Sequence, residues 1–470
     1  MDLFVKLIFL ACAAVAAFIA VVTFANVVVL YAAAFAFFAV FLAWVLTPRL
    51  KTVVFVCGLG VVSFVFHLTF VLNVHTQPVS DFALLYNAAV SVASGDFSVL
   101  HESLYFQTWA YQTGFVAFQA FFIRFFGAGI TFLKVVNVLF IVVTNLLVYA
   151  LARKFVSEAK ARCIGCMYMV FPGILFLSPV LTNQHAANAL FLLGIFIYLN
   201  KNGTLWAERA GLVFALGNAI RPMAIVIIGA ILFTEFLRFI FEYKRFNSIK
   251  SKDFKPFLRP VLMTGAYLLV GIVLSFAVRA SGLNPNGLSN QFPGWKFAVG
   301  FNYQATGQWN LQDDTELFAI TDFALRDARA REMFFERLSA GPREILPLFY
   351  RKARIMWTSP DASEWAFGHL GYPVPRVSFL QEMSLAFSGG AATLLAISAY
   401  LLFKRFNAQQ FKDFFAPLLL TVIFLFYFGA HLLIEVQERY RDFGLIFVFI
   451  LAAYALDAKL HTLIFQCDNN

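Results

Sequence analysis

"LFVKLIFLACAAVAAFIAVVTFANVVVLYAAAFAFFAVFLAWVLT", Leu3 to Thr47, carries a single charge, Lys6, along a run long enough to cross a lipid bilayer twice. The rest of the chain has the same character. Across 470 residues, 61% are hydrophobic, 18% aromatic and only 13% charged, whereas soluble domains average about 25% charged residues. The composition therefore points to an all-α polytopic membrane protein, whose helices satisfy their own backbone hydrogen bonds in hydrocarbon. The opening run has neither a useful cationic n-region nor a small-residue cleavage site before position 30, so no cleaved signal peptide is expected. Cys12, Cys57, Cys163, Cys166 and Cys467 lie in or beside apolar runs or at the C-terminus and suggest no disulfide framework. Cys163 and Cys166 form a CxxC with no second pair nearby, which reads as helix packing.

Working outward with a requirement of roughly 20 apolar residues per span yields about twelve candidates. They are 3–22, 26–47, 52–73, 132–151, 163–180, 186–200, 210–221, 223–243, 260–279, 383–403, 415–433 and 443–458. Lys and Arg mark the cytoplasmic connections. Arg49 with Lys51, the Arg153–Arg162 cluster, Lys201 with Arg209, "YKRFNSIKSKDFKPFLR" (Tyr243 to Arg259), and Lys404, Arg405 and Lys412 all fall in alternate connections. That phasing puts both termini in the cytoplasm and makes the net charge of +10 a topology signal, not a nucleic-acid footprint. Four regions follow: an N-terminal two-helix addition (1–51), a transmembrane core (52–279) with a first outer loop (74–131), an outer loop or cap (280–382), and C-terminal helices with a tail (383–470).

The polar residues that stand out all fall on the outer face in this topology. "VLNVHTQPVSDFALLYNAAVSVASGDFS" (Val71 to Ser98) places Asp81 after a span and ahead of an amphipathic segment, where Ser80 or Asp81 could also cap the helix. "YFQTWAYQTGFVAFQAFFIRFFG" (Tyr105 to Gly127) breaks the charge phasing if counted as a span and is read as interfacial helix. "SPVLTNQHAANA" (Ser178 to Ala189) presents Gln184 and His185 at an outer turn, where a helix-start His is also at home simply solvated. "GNAIRPMA" sets Arg221 between two short helices, a costly place for a cation without an anionic partner. "HLLIEVQERYRDFG" carries Glu435, Arg439 and Arg441 between apolar runs, against the positive-inside tendency.

In this order, the outer Asp in "SDF", the stretch ending "FFIRFFG", "VVNVLFIVVTNLLVYALARKF", "GLVFALGNAIRP" and "EVQERYRDFGLIFVFILAAYAL" resemble the GT-C superfamily of polyprenyl-phosphate-sugar-dependent membrane glycosyltransferases. The nearest in character are bacterial protein-mannosyltransferase and aminoarabinose-transferase types, and the resemblance runs from about residue 52 to 458. It implies a GT-C-like fold in the plasma membrane with an extracytoplasmic active site. It also implies transfer of a hexosyl or pentosyl unit, with inversion, from a polyprenyl-phosphate donor to a cell-envelope glycan, lipid or protein. By the same resemblance Asp81 is the catalytic carboxylate, and Arg221, Arg439 and Arg441 face the donor phosphate. Relatives often have a second acid where this chain reads "LTNQHAAN", which leaves Gln184, His185 or Glu435 as the polar residues of a second site. No cofactor is obligatory, and a divalent metal is compatible with the family.

A base to deprotonate a hydroxyl and cations to stabilise a leaving phosphate make coherent chemistry. Tyr86 and, in the outer loop, Trp309, Asp313, Asp314, Trp357 and Asp361 are sugar or acceptor contacts in this reading; otherwise the loop is a folded cap. Two rival readings are a lipid-linked sugar flippase or transporter and a catalytically inactive GT-C-like scaffold.

Overall fold

The computed structural model describes residues 2–25, 50–200, 203–246, 255–359, 363–367 and 374–457, together with 31, 34, 35, 37, 38, 41, 42 and 370. Among these residues every regular element is helical. Seven helices are long and apolar enough to cross a membrane: Asp2–Phe24, Thr52–Asn73, Ile130–Ala152, Ala224–Phe241, Leu258–Ala280, Val377–Arg405 and Phe411–Leu433. The expectation of a helical membrane protein is met by these seven; among the described residues the count of about twelve is not confirmed. The expected span 26–47 falls largely outside the described residues, as do Arg49 and residues 247–254 of the 243–259 cluster.

The four other expected spans form helices of 17 residues or fewer among the described residues. Residues 163–180 divide into Glu158–Met169 and Pro172–Leu177, because Pro172 has no N–H to continue the first helix and Phe171 before it is extended. Gln184–Asn200 and Thr204–Ile220 join at a short connection, and Thr204–Ile220 ends where Arg221 turns extended ahead of Pro222. Arg441–Asp457 is the fourth, and it is the centre of the bundle. Phe443 through Ala453 are buried without interruption, against Val374–Arg405, Glu158–Met169, Phe411–Leu433 and Ile130–Ala152. The Asp2–Phe24 helix lies along Val374–Arg405, so the N-terminal region is packed into the bundle.

Close helix approaches rest on glycine, as membrane helix packing favours. A Cβ at Gly114 would lie 1.8 Å from the carbonyl oxygen of Ala219, so the Thr113–Phe126 helix presses on the last turn of Thr204–Ile220. Thr113–Phe126 has 14 residues and ends at Gly127 in the left-handed region, in keeping with its reading as something other than a span. The 280–359 region is a folded helical cap. Lys352, buried, donates to the carbonyls of Gly300 (2.8 Å), Leu432 (2.7 Å) and Ile434 (2.7 Å), and so joins the cap to the end of Phe411–Leu433.

Candidate functional site

Several helices end around one cavity of about 370 Å³. It is lined by the first turn of Ser80–Ser94, the segment Tyr105–Gln112, the Arg221–Val226 junction, the cap residues Trp295 and Lys296, and the chain from Ala430 to Tyr440. The cationic residues of the bundle mark the opposite helix ends: Phe411–Leu433 begins beside Lys412 and finishes at the cavity, and Thr52–Asn73 begins after Lys51 and leads towards Asp81.

Asp81 sits in the first turn of its helix, whose N-cap residue is Val79, and neither Ser80 nor Asp81 makes a side-chain cap bond. The capping reading is therefore not met. Ser80 instead has φ of 50°, a left-handed conformation that a residue with a Cβ rarely adopts, immediately before the carboxylate. Asp81 opens onto the cavity and accepts no hydrogen bond from the described residues. The surrounding protein raises its carboxyl above the usual range by desolvation; Arg439 pulls the other way, Glu435 adds to the rise, and Lys296 offsets it.

Glu435 stands in the opposite condition. Its side chain is 2% exposed and bonded to Lys296 Nζ at 2.5 Å, to Gln437 Nε2 at 2.8 Å and to the Tyr440 hydroxyl at 3.3 Å. Burial disfavours its charge, but Lys296 and these bonds hold it below the ordinary carboxylate range. The Glu435 N–H also donates to the Lys296 carbonyl at 2.9 Å, so the cap and the 434–440 segment are tied by backbone as well as by charge.

Two arginines complete the cavity. Arg221 donates to Asn183 Oδ1 at 2.8 Å. Arg439 donates to Gln437 Oε1 at 2.7 Å and lies 5.0 Å from the Phe82 ring centre and 5.5 Å from that of Trp365. Gln184 donates to the Arg439 carbonyl at 3.0 Å and so positions that arginine's backbone.

Asp81, Arg221, Arg439 and Glu435 are thus brought together, as read from sequence; other candidates lie elsewhere. Arg441 is buried and donates to the carbonyls of Trp357 (2.9 Å) and Ser359 (3.2 Å), outside the cavity lining. His185 is buried with Nε2 2.9 Å from the Leu177 carbonyl oxygen, so the solvated helix-start reading is not met either. Trp357 is fully buried. Asp313 is gripped by Arg337 at 2.7 Å and 2.9 Å and by Asn302 at 2.9 Å. Asp314 accepts from the Trp295 indole at 3.3 Å, Trp309 is exposed on the cap, and Tyr86 packs with the Leu133 and Leu181 cluster. Asp361 lies outside the described residues.

Lys296, Trp295, Trp109, Tyr111 and Gln112 line the cavity without having been singled out. The available signal was "GWKF", a lone lysine among aromatics in the cap, and the Tyr-Gln pair inside the interfacial stretch.

The donor set does not fit a divalent metal. Asp81 and Glu435 are the carboxylates that line the cavity, Glu435 is already neutralised by Lys296, and Arg221 and Arg439 would repel a further cation. Among the described residues no three His, Cys, Asp or Glu side chains gather to hold a metal. Set against models of known protein families and against curated proteins, the chain matches none.

Proposed function

We propose that the protein is an integral-membrane inverting glycosyltransferase of GT-C type, which moves a sugar from a polyprenyl-phosphate donor to an acceptor at the extracytoplasmic surface of the plasma membrane. One observation carries the reading: a carboxylate with no hydrogen-bond partner among the described residues opens into a cavity that also collects Arg221, Arg439 and Lys296. A base and permanent cations in one partly water-excluded space are what transfer from a lipid phosphate requires.

In this mechanism an Asp81 oxygen takes the proton of an acceptor hydroxyl as that oxygen attacks the anomeric carbon. The bond from that carbon to the phosphate oxygen breaks, and the polyprenyl phosphate departs with its electron pair. A single displacement inverts the anomeric configuration. Arg221 and Arg439 stabilise the charge gathering on the phosphate, each through a planar fork suited to phosphate oxygens. Arg441, outside the cavity, has no part in that clamp. The raised carboxyl of Asp81 makes it a stronger base than an unperturbed aspartate. Trp109 and Trp295, with ring centres 5.7 Å apart at the cavity wall, offer apolar faces to a sugar.

The test is release of polyprenyl phosphate from labelled lipid-linked sugars by the purified protein with candidate acceptors, for wild type and Asp81→Asn. Wild type should turn over at least one donor and the variant should not. Equal turnover by the variant, or transbilayer movement of intact donor with no release, would overturn the assignment.

A further inference from the structure

The ring of Tyr440 is ringed by cations. Arg221 lies 5.4 Å from its centre, Arg439 5.7 Å and Lys296 5.8 Å, and all three line the cavity. Two come from connections between bundle helices, but Lys296 comes from the cap, on the short Gly294–Gly300 helix. Its side chain is 33% exposed while Glu435 behind it is 2% exposed, so the lysine presents itself to the cavity and the glutamate backs it. Three like charges about one ring repel one another. The cavity lining carries these three cations against two carboxylates, Asp81 and Glu435, and so is net positive.

We infer that Lys296 is a third anion-binding residue of the site, delivered by the cap and held in place by Glu435, so that the phosphate of a lipid donor binds between the bundle and the cap. The inference rests on the glycosyltransferase reading for the identity of the anion. Glu435 is a positioning residue: its carboxylate is taken up by Lys296, Gln437 and Tyr440, and it fixes the ammonium that meets the phosphate. The rest of the contact agrees with this division. Lys296 contributes its carbonyl to the Glu435 N–H, and a Cβ at Gly300 would meet the Ile434 carbonyl carbon at 2.5 Å, so the helix bearing Lys296 is seated directly on the 434–436 backbone. Lys352 fastens the same two segments from below through the carbonyls of Gly300 and Ile434. A cation so tightly referenced to the cavity floor requires little reordering to meet a ligand, the condition under which a charge-assisted contact contributes most to binding.

The experiment titrates the full-length protein in detergent with farnesyl phosphate, with farnesol as the uncharged control, and reads affinity by calorimetry. Wild type should bind the phosphate and not the alcohol. Lys296→Met should weaken binding at least about tenfold, and Lys296→Arg should recover to within about threefold of wild type. Because Lys296→Met strands a buried carboxylate, the double variant Lys296→Met/Glu435→Gln, which removes both charges, supplies the decisive case, and it too should be at least about tenfold weaker. If the double variant binds like wild type while Arg439→Gln is weakened, the phosphate-donor reading stands and the role of Lys296 is overturned. If wild type does not prefer farnesyl phosphate to farnesol, both fall together.

Discussion

Glu158 and Asp81 are made from the same ingredients, a carboxylate near arginines and aromatic rings, and they stand in opposite conditions. Glu158 receives Arg153 at 2.6 Å, Arg162 at 2.9 Å, the Tyr149 hydroxyl at 2.6 Å and the Thr52 hydroxyl at 3.3 Å. Arg162 goes on to the Leu50 carbonyl at 2.9 Å. Oε1 takes three of these donors and Oε2 takes Arg153, and the cluster joins the starts of Thr52–Asn73 and Glu158–Met169 to the end of Ile130–Ala152. Asp81 accepts no such bond, and the cations that act on it are engaged elsewhere, Arg439 with Gln437 and Lys296 with Glu435. Their carboxyls shift in opposite directions. Glu158 is held low, because its hydrogen bonds and ion pairs outweigh the burial that opposes its charge, while burial raises Asp81. A saturated carboxylate holds helices together; an unsaturated one is available for chemistry.

The largest effect that would break this contrast is at Asp81. Asp81→Asn should lower transfer by about 10²- to 10⁴-fold, the scale of a positioned general base, with no fall in Tm, since no bond among the described residues is lost. A lower Tm with transfer retained would make Asp81 a structural residue like Glu158. The reciprocal change, Glu158→Gln, should cost about 3 kcal/mol because it leaves Arg162, only 2% exposed, without its counter-ion. Transfer per folded molecule should be unchanged. The pH dependence has a definite sign: a carboxyl held low when folded contributes stability that is full above its ordinary range and is lost as pH falls through its lowered folded value. Thermal unfolding from neutral to acid pH should show a larger acid loss in wild type than in Glu158→Gln, the remainder in the variant coming from other carboxyls held low such as Glu435.

How much of this was legible without coordinates depended on whether a local signal existed. The membrane class, the long helices and the candidates Asp81, Arg221, Arg439 and Glu435 announce themselves as charges interrupting apolar runs, and that pattern is local. The break in the expected span 163–180 was not legible from hydropathy, which runs on across Pro172, whereas the short segments 186–200 and 443–458 were read as such and form Gln184–Asn200 and Arg441–Asp457. Arg441 and Arg439 are two residues apart and look equivalent in sequence, yet one faces the cavity and the other turns inward to the Trp357 carbonyl. Their difference arises from the turn Glu438–Tyr440, which places successive side chains on different sides. Lys296 was invisible for another reason: its partner Glu435 is far along the chain, and only the fold brings the two together.

Packing offers a subtler way to disturb the cavity without touching its charges. Gly114→Ala would drive a methyl into the carbonyl of Ala219, two residues before Arg221. Backbone at that distance cannot yield as a flexible side chain would, so the change should destabilise the protein by about 1–3 kcal/mol. It should also lower transfer by displacing Arg221, and leave the Glu158 cluster unaffected. Tm measured together with transfer at saturating donor checks this; loss of Tm with transfer per folded molecule intact would show that Arg221 does not depend on that contact.

The smallest expected effect is a displacement of the pH profile rather than a loss. A general base must be ionised, so transfer should fall as pH drops through the carboxyl of Asp81, and desolvation by the surrounding protein places that acid limb above the range of an unperturbed aspartate. Arg439 is the strongest influence opposing the rise. Replacing it with Gln removes a cation that favours the carboxylate, so the limb should move to still higher pH, beyond any uniform drop in rate from the weakened phosphate clamp. Arg439→Lys keeps the charge and should leave the limb near its wild-type position even where the rate falls. The profile of kcat/KM against pH for these three proteins separates the two roles of Arg439: a limb that stays fixed in Arg439→Gln would mean that the titrating base is not Asp81.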